Sequence, residues 1–409
     1  MSVQLQAIKF NHDSSSATHG ALNIRRDASN FVSVPEWTRG SSTKPEDSPA
    51  AYAMKPTRGN MIEIEAKFKN LSNEPKEIEI RAVDPAIKPK DPQGCAGFLL
   101  RILRTILRGL FGNVLGEPQA RAVQLPAGGV TGFKTFQLKN TRIWNAGVGV
   151  RTTNWRWQYR DPSGGQWTDF ERTSHRIYTV VDVPNDPWKQ SPHSPSNDQL
   201  PWTEVLDQSA EWAFLAKNLV DAATEVTKGI YHDLGGSRIE YDCKGNGATQ
   251  YLYGTKYDLT GFLERANGGN GNGKWVNCTD CANSVVTFAN ALGCDLAASQ
   301  MNDPYAGGRF DLNSIKSIGT NQWKPACGWT AFNYHEVAWE ANYGASDDIY
   351  DACLAVDGDQ NPSSAPHTFL LPTDMQFGQQ GSGYRSRIAT PGDQADCYPN
   401  QNPKQRAVA

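Results

Sequence analysis

The stretch Trp275-Val276-Asn277-Cys278-Thr279-Asp280-Cys281-Ala282 decides how the second half of this chain is read. Beyond it, Val285, Phe288, Ala289 and Leu292 recur at helical spacing, and Gly293 ends the run. The pattern predicts an amphipathic helix with Cys278 in its first turn. Asn277 suits the N-cap, and Asp280, three residues on, completes a capping box. Backbone N–H groups without partners inside the helix, together with the helix dipole, stabilise a thiolate placed there. That placement points to nucleophilic chemistry at Cys278. Cys281 falls beside Ala282 and Val285 on the inward side of the same helix and reads as a buried thiol.

A cysteine nucleophile needs a base, and the base needs an orienter. His335 lies on a predicted strand, Trp329 to Trp339, where His335, Val337 and Trp339 share one side. Asp357 ends the next predicted strand, which begins at Ala352. If the two strands are antiparallel neighbours, Asp357 reaches the imidazole and the imidazole reaches the Cys278 sulfur. His367, in a loop beyond Asp357, is the rival base. Asp351 and Asp359 are the rival orienters, although Asp351 begins the predicted strand rather than ending it. For the oxyanion, the backbone N–H of Cys278 is one candidate donor, with Trp275 or Tyr257 as the second.

Cys278-x-Asp280-x-Ala282, followed by Ala291-Leu292-Gly293, resembles the core motif of the transglutaminase-like, papain-related cysteine enzymes. In that family the cysteine helix ends in an Ala-Leu-Gly turn, a strand histidine follows, and an aspartate closes the next strand. The resemblance covers roughly residues 203–375. It implies an α+β domain in which Cys278 is the nucleophile, His335 the general base and Asp357 the orienter. Two departures bear on the cleft. Gly358 follows Asp357 where the family has proline, and the basic residue usual after the Leu-Gly turn is absent from residues 293–299. The implied activity is a thiol hydrolase (protease or amidase) acting on a protein or peptide substrate through a thioester, with no cofactor. The alternatives are a transglutaminase or deamidase acting on glutamine side chains, and a non-catalytic binding or assembly protein with a vestigial domain.

Residues 1–183 read differently. Met61–Phe68 and Glu77–Val83 alternate apolar and polar residues, and further strand patterns occur at 148–151, 155–159 and 176–181. Many short strands separated by turns predict an all-β sandwich of immunoglobulin-like type. One helical insertion interrupts it near 95–116. Over residues 98–111, Arg101, Arg104, Thr105 and Arg108 form a narrow polar face on an otherwise apolar helix. It reads either as a membrane-surface or partner-binding helix or as a cover for one face of the sandwich. The Pro-rich segment 184–201 is the expected linker, 202–390 the catalytic domain and 391–409 a polar tail that hugs the surface or frays.

A net charge of −3 over 409 residues gives no electrostatic reason to expect a nucleic-acid partner. No apolar run reaches membrane-spanning length, and the N-terminus lacks the basic and apolar regions of a secretory signal. The expected location is therefore cytoplasmic as synthesised, with export by a signal-independent route left open. In that setting the eight cysteines are expected mostly as small buried hydrophobes rather than a disulfide framework. A Gly/Asn loop precedes Cys278-x-x-Cys281 where a redox dithiol needs a strand, and the other cysteines are too scattered for zinc, so no metal is expected.

Overall fold

Along Glu63–Asn70 half-buried and buried residues alternate without a break, turning Ile64, Ala66 and Phe68 inward. The period-two pattern of the sequence is thus realised as a strand with one face in a core. The computed structural model describes residues 3–11, 20–42, 44–55, 62–85, 113–188, 199–243, 247–302, 308–323, 328–340, 342–400 and 402–409. They fall into two units, one of residues 1–183 with 190–203 and one of residues 184–189 with 204–409. The predicted helix at 98–111, with Arg101, Arg104 and Arg108, lies outside the described residues. Among the described residues, no helix is long and apolar enough to cross a membrane.

Among the described residues, the first unit contains ten strands. In chain order they are β1 (Val3–Lys9), β2 (Trp37–Thr38), β3 (Ala50–Ala53), β4 (Glu63–Asn70), β5 (Lys76–Val83), β6 (Glu117–Pro118), β7 (Arg121–Leu125), β8 (Lys134–Lys139), β9 (Gly149–Asp161) and β10 (Gly164–Val180). They form two five-stranded sheets, ordered β2-β1-β4-β8-β6 and β3-β10-β9-β5-β7. All pairings are antiparallel except β3 with β10. Aromatic residues join the sheets: Trp157 of β9 meets Phe68 of β4 and Phe136 of β8 edge-on, at 5.9 and 5.8 Å between ring centroids. Such pairs add about 0.5–1.5 kcal/mol each beyond their buried area. The β9–β10 hairpin turns at Pro162 and Ser163, and Gly164 and Gly165 directly after it hold φ angles of 112° and 104°, which glycine adopts readily.

The second unit is mixed. Its helices are α1 (Thr203–Trp212), α2 (Leu219–Gly229), α3 (Leu259–Ala266), α4 (Cys278–Asn290) and α5 (Gly383–Ile388). Its strands, again in chain order, are β11 (Glu240–Tyr241), β12 (Leu252–Tyr253), β13 (Lys256–Tyr257), β14 (Trp275–Val276), β15 (Leu296–Met301), β16 (Phe310–Asp311), β17 (Ile315–Ser317), β18 (Ala331–Phe332), β19 (His335–Glu340), β20 (Asp348–Tyr350), β21 (Leu354–Asp357), β22 (Phe369–Leu370) and β23 (Met375–Gln376). Every residue of α4 is buried, and the helix packs on β15, β19 and α2. Fully burying side chains such as Val285, Phe288 and Leu292 stabilises the unit by about 1.5–3 kcal/mol each.

The linker, the tail and the cysteines gain detail here. Segment 184–201 is docked at both ends: Trp188 is fully buried with its indole N–H donating to Thr287 O at 2.7 Å, and Leu200 is fully buried. The tail is also tied down. Lys404 and Ala298 exchange two backbone hydrogen bonds, and Tyr257 exchanges bonds with Ala407 and Ala409. Polar composition hid this, because the tail is held through its backbone. Finally, Cys243 is disulfide-bonded, whereas Cys278, Cys281, Cys294, Cys353 and Cys397 are free and buried.

Candidate active site

Cys278 is the first residue of α4, and the cap drawn from the sequence is present on both sides. The Asn277 side chain accepts from Asp280 N at 3.1 Å, and the Asp280 carboxylate accepts from Asn277 N at 3.1 Å. Asp280 does more than cap. Its oxygens also accept from Thr249 Oγ1, from Gln250 N and from Tyr251 N, the last two at 3.0 Å. The Asn277 amide donates to Gly247 O at 2.6 Å. These bonds lash the loop over residues 247–251 to the helix start beside Cys278. Its sulfur lines a cavity of about 360 Å³ together with Tyr241, Gly247, Trp329 and residues 331–334. Cys281 is not part of that lining. A hydrogen bond with Cys353 favours its thiolate, but burial together with the nearby Asp280, Asp351 and Cys278 outweighs it and pushes the Cys281 thiol up.

His335 begins β19 and has no exposed surface. Its Nε2 lies 2.9 Å from Asp351 Oδ2. Its Nδ1, which makes no hydrogen bond, is the nitrogen left for the Cys278 thiol. Phe332 stacks on the ring at 5.7 Å between centroids and fixes its plane. Burial drives the imidazolium pKa down, but the Asp351 carboxylate and then the Cys278 sulfur outweigh it, lifting His335 to about 10. Asp351 is itself fixed from several directions. It accepts from the Tyr384 hydroxyl at 2.7 Å, and from Cys353 N and Leu354 N at 2.7 and 3.1 Å.

Asp357 does not reach His335. Its strand, β21, belongs to a separate sheet ordered β17-β21-β22. The neighbours of β19 are β15 and β20, and β20, which ends at Tyr350, delivers Asp351 directly after it. Three residues, Asp348–Tyr350, are too short to show a period in the sequence, so the longer apolar run at β21 was read as the neighbour. Asp357 instead pairs with His367, whose Nδ1 lies 2.6 Å from Asp357 Oδ2. The expected orienter and the rival base therefore form a second His–Asp pair, with Trp323 against the His367 ring at 5.1 Å.

The side-chain oxyanion donors expected at Tyr257 and Trp275 sit elsewhere. Tyr257 is fully buried and its hydroxyl bonds Ser284 Oγ at 2.6 Å. Trp275 lies on β14 beneath the Lys274 ammonium, outside the cavity lining. The hydroxyl-bearing residues that do line the cavity are Tyr241 and Tyr334. Burial and then the adjacent Cys278 sulfur push the Tyr241 hydroxyl well above its ordinary pKa; for Tyr334 the sulfur is the larger cause and burial the second. Both therefore remain hydrogen-bond donors at neutral pH.

No family model and no curated protein matches the sequence. Among solved structures, the chain is similar to red sea bream transglutaminase at 10% identity with a TM-score of 0.35, over 76% of this chain and 50% of that one. A chaperone–tip adhesin complex of CFA/I fimbriae biogenesis is similar at 15% identity with a TM-score of 0.14, over 31% of this chain and 54% of that one. The chain thus spans about half the length of each. Likeness at these scores carries no argument about function, which rests on the geometry of the site.

Two contributors escaped the sequence reading. Tyr241 sits on the two-residue strand β11, placed beside the cysteine helix by parallel pairing with β14. Tyr384 comes from α5, whose six residues are too few for a helical period. Only the three-dimensional pairing brings either to the site.

Proposed function

We propose that the second unit is a cysteine-nucleophile hydrolase of amide bonds, with Cys278 as nucleophile, His335 as acid–base and Asp351 as orienter. The observation that carries this reading is the order of the three groups. A cavity-lining cysteine at a helix N-terminus interacts with a buried imidazole, and a buried carboxylate holds the Nε2 of that imidazole. With the resting proton on His335, the sulfur attacks the amide carbon as a thiolate. The carbonyl oxygen becomes an oxyanion within reach of the Cys278 N–H and the Tyr241 hydroxyl. Collapse breaks the C–N bond, and His335 gives its proton to the departing amine. Water then attacks the thioester while His335 takes a proton from it, releasing the acid and restoring the thiolate.

Among the described residues, the cavity lining beside Cys278 consists of aromatic residues, glycine, alanine and Asn333, with no charged side chain. That chemistry suits an uncharged carboxamide or a peptide bond flanked by apolar residues. A primary amine in place of water makes the same thioester a transamidation intermediate, and a glutamine side chain as substrate makes the reaction a deamidation.

A chloroacetamide probe tests the reading. It should label wild type and Cys281→Ala at residue 278 and leave Cys278→Ala unlabelled. Labelling that survives Cys278→Ala with no loss would remove the proposed nucleophile. Peptide hydrolysis, ammonia release from a glutamine-rich protein and incorporation of a fluorescent primary amine then separate the three reactions.

A further inference from the structure

Between α4 and β19 lies a buried polar group that the proposed chemistry does not use. Glu336 directly follows His335 and is 1% exposed. Its Oε2 accepts from the hydroxyl of Thr279, the residue after Cys278, at 2.8 Å. Its Oε1 is met by the guanidinium of Arg406 at 2.9 Å. The same Arg406 nitrogen donates to Asn283 Oδ1 at 2.9 Å, and the Asn283 amide donates to Thr279 O at 2.6 Å. One guanidinium therefore closes a ring of hydrogen bonds onto the neighbours of both reacting residues.

Arg406 is brought there by the backbone of its own segment. Lys404 pairs with Ala298 on β15, and Ala407 O accepts from Tyr257 N at 2.9 Å. Between these anchors the Arg406 side chain, 10% exposed, passes inward to Glu336. A carboxylate this deep needs a positive partner, because an unpaired buried charge is strongly unfavourable. The pairing is also directional. The two N–H bonds of one planar guanidinium nitrogen are fixed in direction toward Glu336 and Asn283, whereas a freely rotating ammonium is a compact charge without that fixed geometry.

We propose that Arg406 is a positioning residue for the site: by holding Glu336 and Asn283 it fixes Thr279, and so sets the Cys278 sulfur against the His335 imidazole. This rests on Cys278 being the nucleophile. Arg406 itself touches neither reacting atom.

The test uses the full chain and the rate at which iodoacetamide alkylates Cys278 at neutral pH, read by mass spectrometry of the Cys278 peptide. Arg406→Ala should slow alkylation by about tenfold or more while near-UV circular dichroism remains native, since small displacements of reacting groups have effects of this size. Arg406→Lys should fall between the two. Gln405→Ala is the control, because Gln405 anchors the same segment to Asp295 Oδ1 and Leu296 O, each at 3.0 Å, without touching Glu336. It should react like wild type. A wild-type rate in Arg406→Ala, or equal slowing in Gln405→Ala, overturns the role of Arg406 and leaves the nucleophile in place. Wild-type protein that is not alkylated at Cys278 overturns the nucleophile and this inference together. If Arg406→Ala does not fold, Arg406→Lys decides: slowed alkylation supports the role and an unchanged rate overturns it.

Discussion

His335 Nε2 lies 2.9 Å from the Asp351 carboxylate, and both groups are sealed from solvent. The pair holds the imidazole so that only Nδ1 is left to face the Cys278 sulfur. Asp351→Asn preserves the shape and removes the charge. It should lower amide hydrolysis by roughly 10⁴-fold, the size of loss seen when the orienting carboxylate of a triad is removed. Asp357→Asn should stay within a few-fold of wild type. Steady-state hydrolysis of the two variants side by side checks this, and the reverse ranking would return the orienter to Asp357.

That contrast also marks how far the sequence could be read. The helix start at Asn277–Asp280 is a local code of caps and spacing, so it is legible from one segment. His335 is legible because its strand is long enough to show which side chains share a face. The partner of His335 is a matter of strand pairing, and β20 is three residues long. Pairing of so short a strand depends on residues far away in the chain. The same holds for Tyr241 and Arg406, which reach the site through backbone bonds that no side-chain pattern records.

The elevated pKa of His335 has a consequence for stability. Its folded value of about 10 lies above the ordinary 6.5, so the folded state binds the proton more tightly than the unfolded chain. The stabilisation is fully present below about pH 6.5 and is lost as pH rises through about 10. The melting temperature of the wild type should therefore fall between pH 7 and pH 10. Asp351→Asn should flatten that decline, as differential scanning calorimetry at a series of pH values will show.

The capping box should contribute unequally through its two members. Asn277→Ala removes a cap acceptor and the donor to Gly247 O, at a cost of about 1 kcal/mol. Asp280→Ala leaves the N–H groups of Asn277, Gln250 and Tyr251 and the Thr249 hydroxyl without their acceptor. The loss should be on the order of 3 kcal/mol or more, because several buried donors go unsatisfied together. Urea titration of both variants gives the ranking, and Asp280 is expected to be the costlier by a clear margin.

In the first unit two buried groups pull in opposite directions. Burial pushes His175 down to about 3, so its contribution is present above about pH 6.5 and is lost as pH falls toward 3. Glu36 is raised to about 7 by burial, against the hydrogen bonds it accepts from Phe10 N and Asn11 N. Its contribution is present below its ordinary 4.5 and is lost as pH rises through about 7. Between pH 4.5 and 6.5 the two slopes offset one another. Glu36→Gln should expose the acid sensitivity due to His175, and His175→Phe should expose the opposite slope. Trp155, 5.2 Å from the His175 ring, provides the fluorescence signal for the unfolding curves.

The two His–Asp pairs differ in one practical respect: the His367 side chain is 13% exposed and that of His335 is sealed. A histidine-selective acylating reagent such as diethyl pyrocarbonate will therefore find the His367 ring first. Early modification should pass without loss of activity, and inactivation should follow only in a slow phase, as the fold opens to admit the reagent. An inhibitor survey that stopped at the first modified histidine would name the wrong one.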